Sequence, residues 1–335
     1  MQNCFTRLFF HAASLTALLC FGYCTFAAAA PRVKPPLEAI RRDDVSSVTG
    51  RLVSVDPAKG QFEFQVTRVI SGEAGLGKAT IAASADILSR LAPETDYTLL
   101  VLNRMADPKK PGRIISLEIW QLFDIEGASP PIFLTSEKST ALFEPTHIEL
   151  ERSANYLASV LNDLSSEDVQ LVDLSSAEII YSQSRRAALT PSDSAKLIAL
   201  IARTDLRGIT RARVLSAASA EIISADMSTL DQLAKQVLLS APIGQLPWID
   251  SQDELVFAAL NHFTRQVHVT TAVKVADFSR WLQSPNPAVV EQAAVLALRI
   301  DRDAAAEAIN VALNYALLPK DARSTLQVVL HRSTQ

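Results

Sequence analysis

The sequence predicts an α+β protein in which a small β-barrel domain is followed by an all-α helical-repeat domain. The first observation is that proline and glycine become rarer after about residue 145. Residues 31–145 hold ten of the sixteen prolines and seven of the ten glycines, and these residues interrupt regular structure. The second is a change in apolar spacing, from a period of two to helical spacing. With 335 residues, 48% of them apolar, the chain can build a core for each domain.

The first half contains strand patterns. Phe62, Phe64 and Val66 alternate with polar residues, as expected of a half-buried strand. Val69 and Ile70 break this alternation and predict a β-bulge. Further strands are expected over 48–55, 78–83, 97–102 and 115–119, with a short helix over 86–91. The continuous apolar run over 97–102 indicates a strand that is buried on both faces.

This order of three strands, a short helix and two strands resembles that of five-stranded OB-type barrels, and the phrase over 62–72 is similar to netrin-like modules. The resemblance covers roughly 80 residues of a fold whose face can hold oligosaccharides, peptides or nucleic acid. It is carried by element order and not by a diagnostic motif, and the cysteines of animal netrin-like modules are absent. A generic small β-barrel or sandwich remains the alternative.

The second half contains repeated helix starts. Thr190 and Pro191 are followed by Asp193, Asn286 precedes Pro287, and Pro319 repeats the signal. Ser165 before Asp168 and Ser251 before Glu254 have the spacing of a capping box. Apolar residues lie on one face over 287–300 and over 302–318, which predicts amphipathic helices.

Taken in pairs, these helices give units of about 35–40 residues, the length of a helical repeat. The phrase over 284–300 resembles HEAT or armadillo-like repeats, in which alanines allow close helix packing; Ala293, Ala294 and Ala297 match that role. The regular Asp and Arg of those repeats are missing. Because a single helix pair cannot bury its apolar face, such units stack into an array.

The expected domain organisation follows from these patterns. We expect a signal peptide over 1–29, a mobile lead-in over 30–47, the OB-like domain over 48–135, a linker over 136–147 and the helical-repeat domain over 148–332.

The first 30 residues have the order of a secretory signal. Arg7 is their only charged residue, an apolar run follows from Leu8 to Phe26, and an alanine block ends the segment. Cleavage is expected after Ala29, which leaves the mature protein periplasmic or secreted. The alternative is an uncleaved segment that anchors the chain in the membrane. All three cysteines lie in this segment, so the mature chain has no disulfide and no thiolate ligand.

The catalytic and metal-binding motifs are weak. The segment from Gly72 to Lys78 matches the spacing of a phosphate loop, but Ala79 stands where a hydroxyl should bind Mg²⁺, and a strand pattern follows. We therefore interpret it as a glycine-rich turn. His147, His262, His268 and His331 show no helical metal-ligand spacing, and no G-x-S-x-G motif occurs. The sequence predicts no catalytic residue, no cofactor and no metal ion.

Five residues are candidates for partner binding: Arg203, Arg207, Arg211, Arg213 and Trp248. The arginines form the densest positive cluster and suit a phosphate, an anionic lipid or an acidic peptide. Their alternative role is in salt bridges to Asp205 and to neighbouring helices. Trp248, flanked by Pro247 and Ile249, is a candidate anchor in a loop.

These observations predict an exported, non-catalytic interaction protein of the cell envelope whose helical repeats bind another envelope protein or a peptide. The net charge of −4 gives neither half the basic excess that nucleic acid favours. Membrane attachment is expected only if the signal segment stays uncleaved. The alternative is a periplasmic hydrolase for cell wall or glycan, in which carboxylates with perturbed pKa values face one another in a cleft.

The cleavage site gives the first testable prediction. Mass spectrometry of the protein isolated from its own host should find a mature N-terminus at Ala30, because Ala27 and Ala29 fit the small pockets of the peptidase. A chain that retains Arg7 would instead support the uncleaved anchor.

Overall fold

The computed structural model confirms the predicted α+β class, with a closed five-stranded barrel followed by a helical region. It describes residues 35–40, 44–89, 91–110, 112–123, 132–144, 156–244, 251–266, 269 and 272–333. The strands are β1 (Val45–Asp56), β2 (Gln61–Ser71), β3 (Gly77–Ala82), β4 (Asp96–Ala106), β5 (Ile114–Leu122) and β6 (Ile132–Leu134). Three short helices accompany them: α1 (Pro36–Ile40), α2 (Ala85–Leu88) and α3 (Glu137–Ala141).

The barrel closes because β1 pairs on both sides. The strand order is β1-β2-β3-β5-β4, and β4 pairs back onto β1. All these pairings are antiparallel except that of β3 with β5. The sixth strand, which the sequence analysis missed, adds to β4 opposite its first residues, where Tyr97 pairs with Leu134. Closure removes the free sheet edges that an open sheet would present, and the arrangement fits the predicted OB-like architecture.

The predicted bulge in β2 is present. Ser47 pairs with Ser71 and Val48 with Val69, so Ile70 has no partner in β1. A second irregularity lies beside Gly50. An added Cβ at Gly50 would lie 2.0 Å from the carbonyl oxygen of Gln65, so only glycine allows the two strands to approach this closely.

The segment from Gly72 to Lys78 connects two strands. Gly72 has a φ of 84°, in the region that favours glycine. The chain then continues as β3 and not as the helix that a phosphate loop requires. Lys78 Nζ donates to Glu63 Oε2 at 2.7 Å. The segment is thus the glycine-rich turn favoured by the sequence analysis.

Two regions expected to lack regular structure contain short elements. Within the lead-in expected over 30–47, α1 buries Leu37, and β1 already begins at Val45. Within the linker expected over 136–147, α3 is present and Phe143 is buried. Apolar side chains of these elements pack against the helical region. Such contacts join residues far apart in sequence, so local sequence patterns do not predict them.

Within the described residues from 156 onward, the helices are α4 (Tyr156–Asp163), α5 (Val169–Tyr181), α6 (Gln183–Ala187), α7 (Pro191–Ala199), α8 (Gly208–Ser219), α9 (Met227–Ser240), α10 (Ser251–Arg265), α11 (Val275–Phe278), α12 (Pro287–Ile300), α13 (Arg302–Leu313) and α14 (Lys320–Ser333). Short 3-10 helices span Leu200–Ala202 and Ser279–Gln283. Thr190 is the N-cap of α7, as expected, and it forms a capping box with Asp193; Asn286 caps α12. The N-cap of α5 is Asp168 and not Ser165.

Alternate helices pack side by side in one row. The row runs α5, α8, α10, α12 and α14, each packed on the next. The intervening helices α7, α9, α11 and α13 form a second layer on this row. The row helices begin at residues 169, 208, 251, 287 and 320, close to the expected spacing of about 35–40 residues. No helix in the described part of the chain is long and apolar enough to cross a bilayer.

Two hydrophobic clusters share strand β4. Leu99 and Val101 face the barrel interior, whereas Leu100 between them belongs to the cluster that continues into the helices. The prediction of a strand buried on both faces is confirmed. The barrel and the helical region therefore share buried surface, and β4 packs against both.

Gly50 gives a stability prediction. The variant Gly50→Ala should lower the free energy of unfolding by about 2–3 kcal/mol or more, because its methyl group would overlap the Gln65 carbonyl. Gly75→Ala is the matched control, since nothing lies within 4 Å of a Cβ there; it should change stability by less than about 0.5 kcal/mol. Denaturant unfolding of both variants measures the difference, and equal stability would contradict this account of β1.

Candidate functional site

A groove crosses the first three helices of the row. We call it the row groove; it encloses a cavity of about 720 Å³, within the size range of ligand sites. Its lining comes from α5, α8, α10 and the residues that follow α8: Ile180, Tyr181, Ile209, Ala212, Arg213, Ser216, Ala217, Ala220, Ile222, Glu254, Phe257, Ala258, Asn261 and Arg265. Most of these side chains are apolar or small, and a few polar groups stand among them.

The groove follows from helical spacing. Residues 209, 212, 213, 216, 217 and 220 form one stripe on α8, and residues 254, 257, 258, 261 and 265 form another on α10. Small side chains occupy much of these stripes, among them Ala212, Ala217 and Ala258. These three alanines are buried where α8 and α10 pack directly on each other, and their small side chains leave a depression between larger neighbours.

Arg213 lines the row groove and forms an ion pair with Asp173 of α5. Its Nη2 lies 3.0 Å from Asp173 Oδ1 on α5, and its Nη1 donates to the Asp173 carbonyl and to Ser176 Oγ. Thr210 Oγ1 donates to Asp173 Oδ1 at 2.5 Å. The side chains of Asp173 and Arg213 are 1% and 5% exposed. This buried pair therefore fixes α8 against α5, and breaking it would leave an uncompensated charge.

The guanidinium of Arg213 is enclosed by the protein. Nε and Nη2 are buried, and Nη2 is held by the ion pair with Asp173. The guanidinium carbon lies 5.8 Å from the ring centre of Tyr181, which also lines the groove. Arg213 therefore contributes to the groove mainly by fixing α8 in place.

The structure separates the four candidate arginines. Arg203 bonds Asp205, with an Nη2–Oδ2 distance of 2.5 Å, and Arg211 Nε donates to the Ile201 carbonyl. Arg207 lies in a smaller cavity between the barrel and the helices, together with Tyr97 and Leu134. Only Arg213 lines the row groove. Asp205 also lines the cavity of Arg207 and interacts electrostatically with Arg211, so three of the arginines lie around Asp205, whereas Arg213 pairs with Asp173.

Several candidates lie outside the described residues: Ala29, His147, Trp248 and His268.

A partly buried serine–histidine–aspartate network, missed by the sequence analysis, joins three helices near the groove. His262 Nδ1 lies 2.7 Å from Ser219 Oγ on α8, and His262 Nε2 lies 2.8 Å from Asp231 Oδ1 on α9. Gln266, one turn after His262 on α10, also bonds Asp231. His262 is 2% exposed. The three residue types are those of a hydrolase triad.

The surroundings of Ser219 favour a structural role for this network. Ser219 is the last residue of α8, and its hydroxyl is 2.7 Å from the Leu215 carbonyl, to which it donates. The carbonyls at a helix C-terminus disfavour a developing negative charge, whereas an acyl-transfer site needs donors there. Neither Ser219 nor His262 lines the row groove. The network instead holds α8, α9 and α10 in register beneath it.

Three hydrogen-bonded carboxyl groups show pKa shifts opposite to the one expected of a general acid. Hydrogen bonds from Thr190, Arg203 and Thr229 hold the pKa values of their partners below the ordinary range; these partners are Asp193, Asp205 and Asp226. A general acid requires a shift in the other direction. No group of three or more His, Asp or Glu residues within the described ranges has metal-binding geometry.

Comparison of the chain with family models, with curated proteins and with solved structures found no match.

His262 predicts a pH-dependent stability. Burial lowers the pKa of His262 below 6.5, and the hydrogen bond to the Asp231 carboxylate, which raises this pKa, only partly offsets the effect. The unfolded chain then binds a proton more readily than the folded chain, so the stabilisation present above the unfolded pKa is lost as the pH falls from about 7.5 towards 5.5. Urea unfolding across this range should show a steeper loss for the wild type than for His262→Gln. His331→Gln, at an exposed position on α14, should retain the wild-type slope; an unchanged slope in His262→Gln would refute the assignment.

Proposed function

We propose that the protein is a non-catalytic interaction protein that docks an extended segment of another polypeptide in the row groove. The observation that carries this proposal is the groove itself, a depression of about 720 Å³ that spans three helices of one row. A row of stacked helices provides an extended binding surface whose width grows with each added unit. The mixture of apolar walls with a few polar groups suits a peptide, which brings both side chains and backbone amides.

We also propose the fold type of the barrel, the repeat type of the helices and the location of the protein in the cell. We infer that the barrel is OB-type, with the netrin-like resemblance resting on the phrase over 62–72, and that the helices form a HEAT- or armadillo-like array. The parallel β3–β5 pairing and the single row of alternate helices support these inferences. Export to the cell envelope, with another envelope protein as partner, rests on the signal-like order of residues 1–29.

The hydrolase alternative has one observation in its favour, the Ser219–His262–Asp231 network. It is the weaker candidate because the histidine is enclosed and the serine is at a helix C-terminus. It predicts that purified protein cleaves wall or glycan fragments and that Ser219→Ala abolishes this cleavage.

A site-specific photocrosslinker distinguishes the two functions. Placed at Ser216, an exposed residue of the row groove, it should yield a discrete polypeptide adduct in cells of the native host. The matched control is the same photocrosslinker at Ala195, which is equally exposed on α7 but lies outside the groove; it should not yield that adduct.

A second variant connects the adduct to the groove. Ser216→Trp would fill the depression, and a photocrosslinker at Asn261 on the facing helix should then lose its adduct by about tenfold or more. Glycan adducts from Ser216, or equal adducts from Ser216 and Ala195, would refute the docking proposal.

A further inference from the structure

A second cavity lies around Arg207, where the barrel packs against the helical region. We call it the junction cavity, and its volume of about 560 Å³ is within the range of sites for small molecules. Its barrel side is lined by Ile87, Leu91, Tyr97, Ile132 and Leu134. Its helical side is lined by residues 167–170, Asp205 and Arg207. The cavity thus has one apolar side and one side with charged groups.

The apolar side of the junction cavity is incompletely covered by the protein. Leu134, in the three-residue strand β6, is 58% exposed, and Ile87 and Leu91 are half-buried. Tyr97 has the one polar side chain on this side, and its hydroxyl accepts from the Ala92 amide at 3.1 Å. Because a bound peptide backbone needs hydrogen-bond partners along its length, this side favours an aliphatic chain over a peptide.

Arg207 supplies a cation to the other side of the cavity. It immediately precedes α8, and its side chain forms no hydrogen bond or ion pair with the residues that the structure describes. Of its three side-chain nitrogens, Nε alone is both buried and unbonded, so Nη1 and Nη2, which also lack partners, are accessible to solvent. Two N–H donors on this edge of the guanidinium match the two oxygens of a carboxylate.

Three carboxylates line the same side, and none of them pairs with Arg207. Both oxygens of Asp205 bond Arg203, one at 3.2 Å from Nε and the other at 2.5 Å from Nη2. Asp168 is the N-cap of α5 and accepts from two amides of that helix. Glu167 is exposed, so water screens its charge. The polar group of the cavity that still lacks a partner and is partly buried is therefore the Arg207 cation.

We propose that the junction cavity binds one small amphipathic molecule, an aliphatic chain with a terminal carboxylate. The carboxylate pairs with the Nη edge of Arg207, and the chain covers Leu134 and its apolar neighbours. The two sides of the cavity thus receive the two ends of one ligand. This ligand is separate from the polypeptide proposed for the row groove, so the two proposals stand independently.

Isothermal titration calorimetry of the full chain with octanoate tests the ligand class. Octanoate should bind with a stoichiometry of one and about tenfold or more tightly than octanamide, which has the same chain without the charge. Octylammonium, which the exposed Glu167 would favour, should bind most weakly. Hexanoate should bind more weakly than octanoate, by about fourfold for each methylene removed. Equal binding of octanoate and octanamide, or tighter binding of octylammonium, would overturn the proposal.

Two pairs of variants locate the head group and the chain of the ligand. Arg207→Gln should weaken octanoate binding by about tenfold, to the level of octanamide. Arg302→Gln makes the same change at the start of α13, outside the cavity, and should leave the affinity unchanged. Leu134→Ala should weaken octanoate and octanamide alike, by about fivefold. Leu317→Ala, at a residue that is 77% exposed outside the cavity, should weaken neither.

The remaining outcomes also decide the matter. Arg207→Gln breaks no hydrogen bond, so circular dichroism should show a wild-type fold; if it does not, the octanoate-to-octanamide ratio and the response of Leu134→Ala decide. Equal losses in Arg207→Gln and Arg302→Gln would show general charge attraction and overturn the site. Binding of several octanoate molecules with one weak affinity would show adsorption to exposed apolar surface and would also overturn it. Neither result affects docking in the row groove, which the photocrosslinker at Ser216 measures.

Discussion

Burial of the central ten residues of α5 constrains how the barrel and the helical row are joined. Every residue from Leu171 to Ile180 is buried, yet this stretch contains two carboxylates. A buried carboxylate is tolerated only when it is paired and hydrogen-bonded. Glu178 accepts from the Leu37 amide before the barrel and from Arg185 after the helix. Asp173 binds α8 on the other side. These two carboxylates thus connect α5 to the barrel side and to the helical row.

The same pairing shapes the proposed binding surface. Because Asp173 is fixed within α5, it holds Arg213 of α8 in place beside the row groove. The Ser219–His262–Asp231 network fixes the other side, where α8 meets α9 and α10. Buried polar networks of this kind position helices more narrowly than apolar packing, since their geometry tolerates little displacement. The groove is therefore a preformed surface, which reduces the cost of ordering on binding.

Local signals in the sequence predicted the elements whose causes are local. The capping box of Thr190 and Asp193 and the bulge at Ile70 were predictable because each depends on neighbours a few residues away. The short elements α1, α3 and β6 were missed. They contain five, five and three residues, too few to display a period, and they are stabilised by contacts with distant parts of the chain.

The fold class, the turn-rich and helix-rich halves and the spacing of the row helices can be read from the amino-acid order alone, because strand alternation and helical amphipathicity involve residues that are close in sequence. The candidate site cannot. Arg207 and Arg213 are close in sequence but line different cavities. Arg213 and Asp173 are 40 positions apart but form one buried pair. Which side chains meet depends on how helices pack, and packing contacts join residues that no local pattern relates.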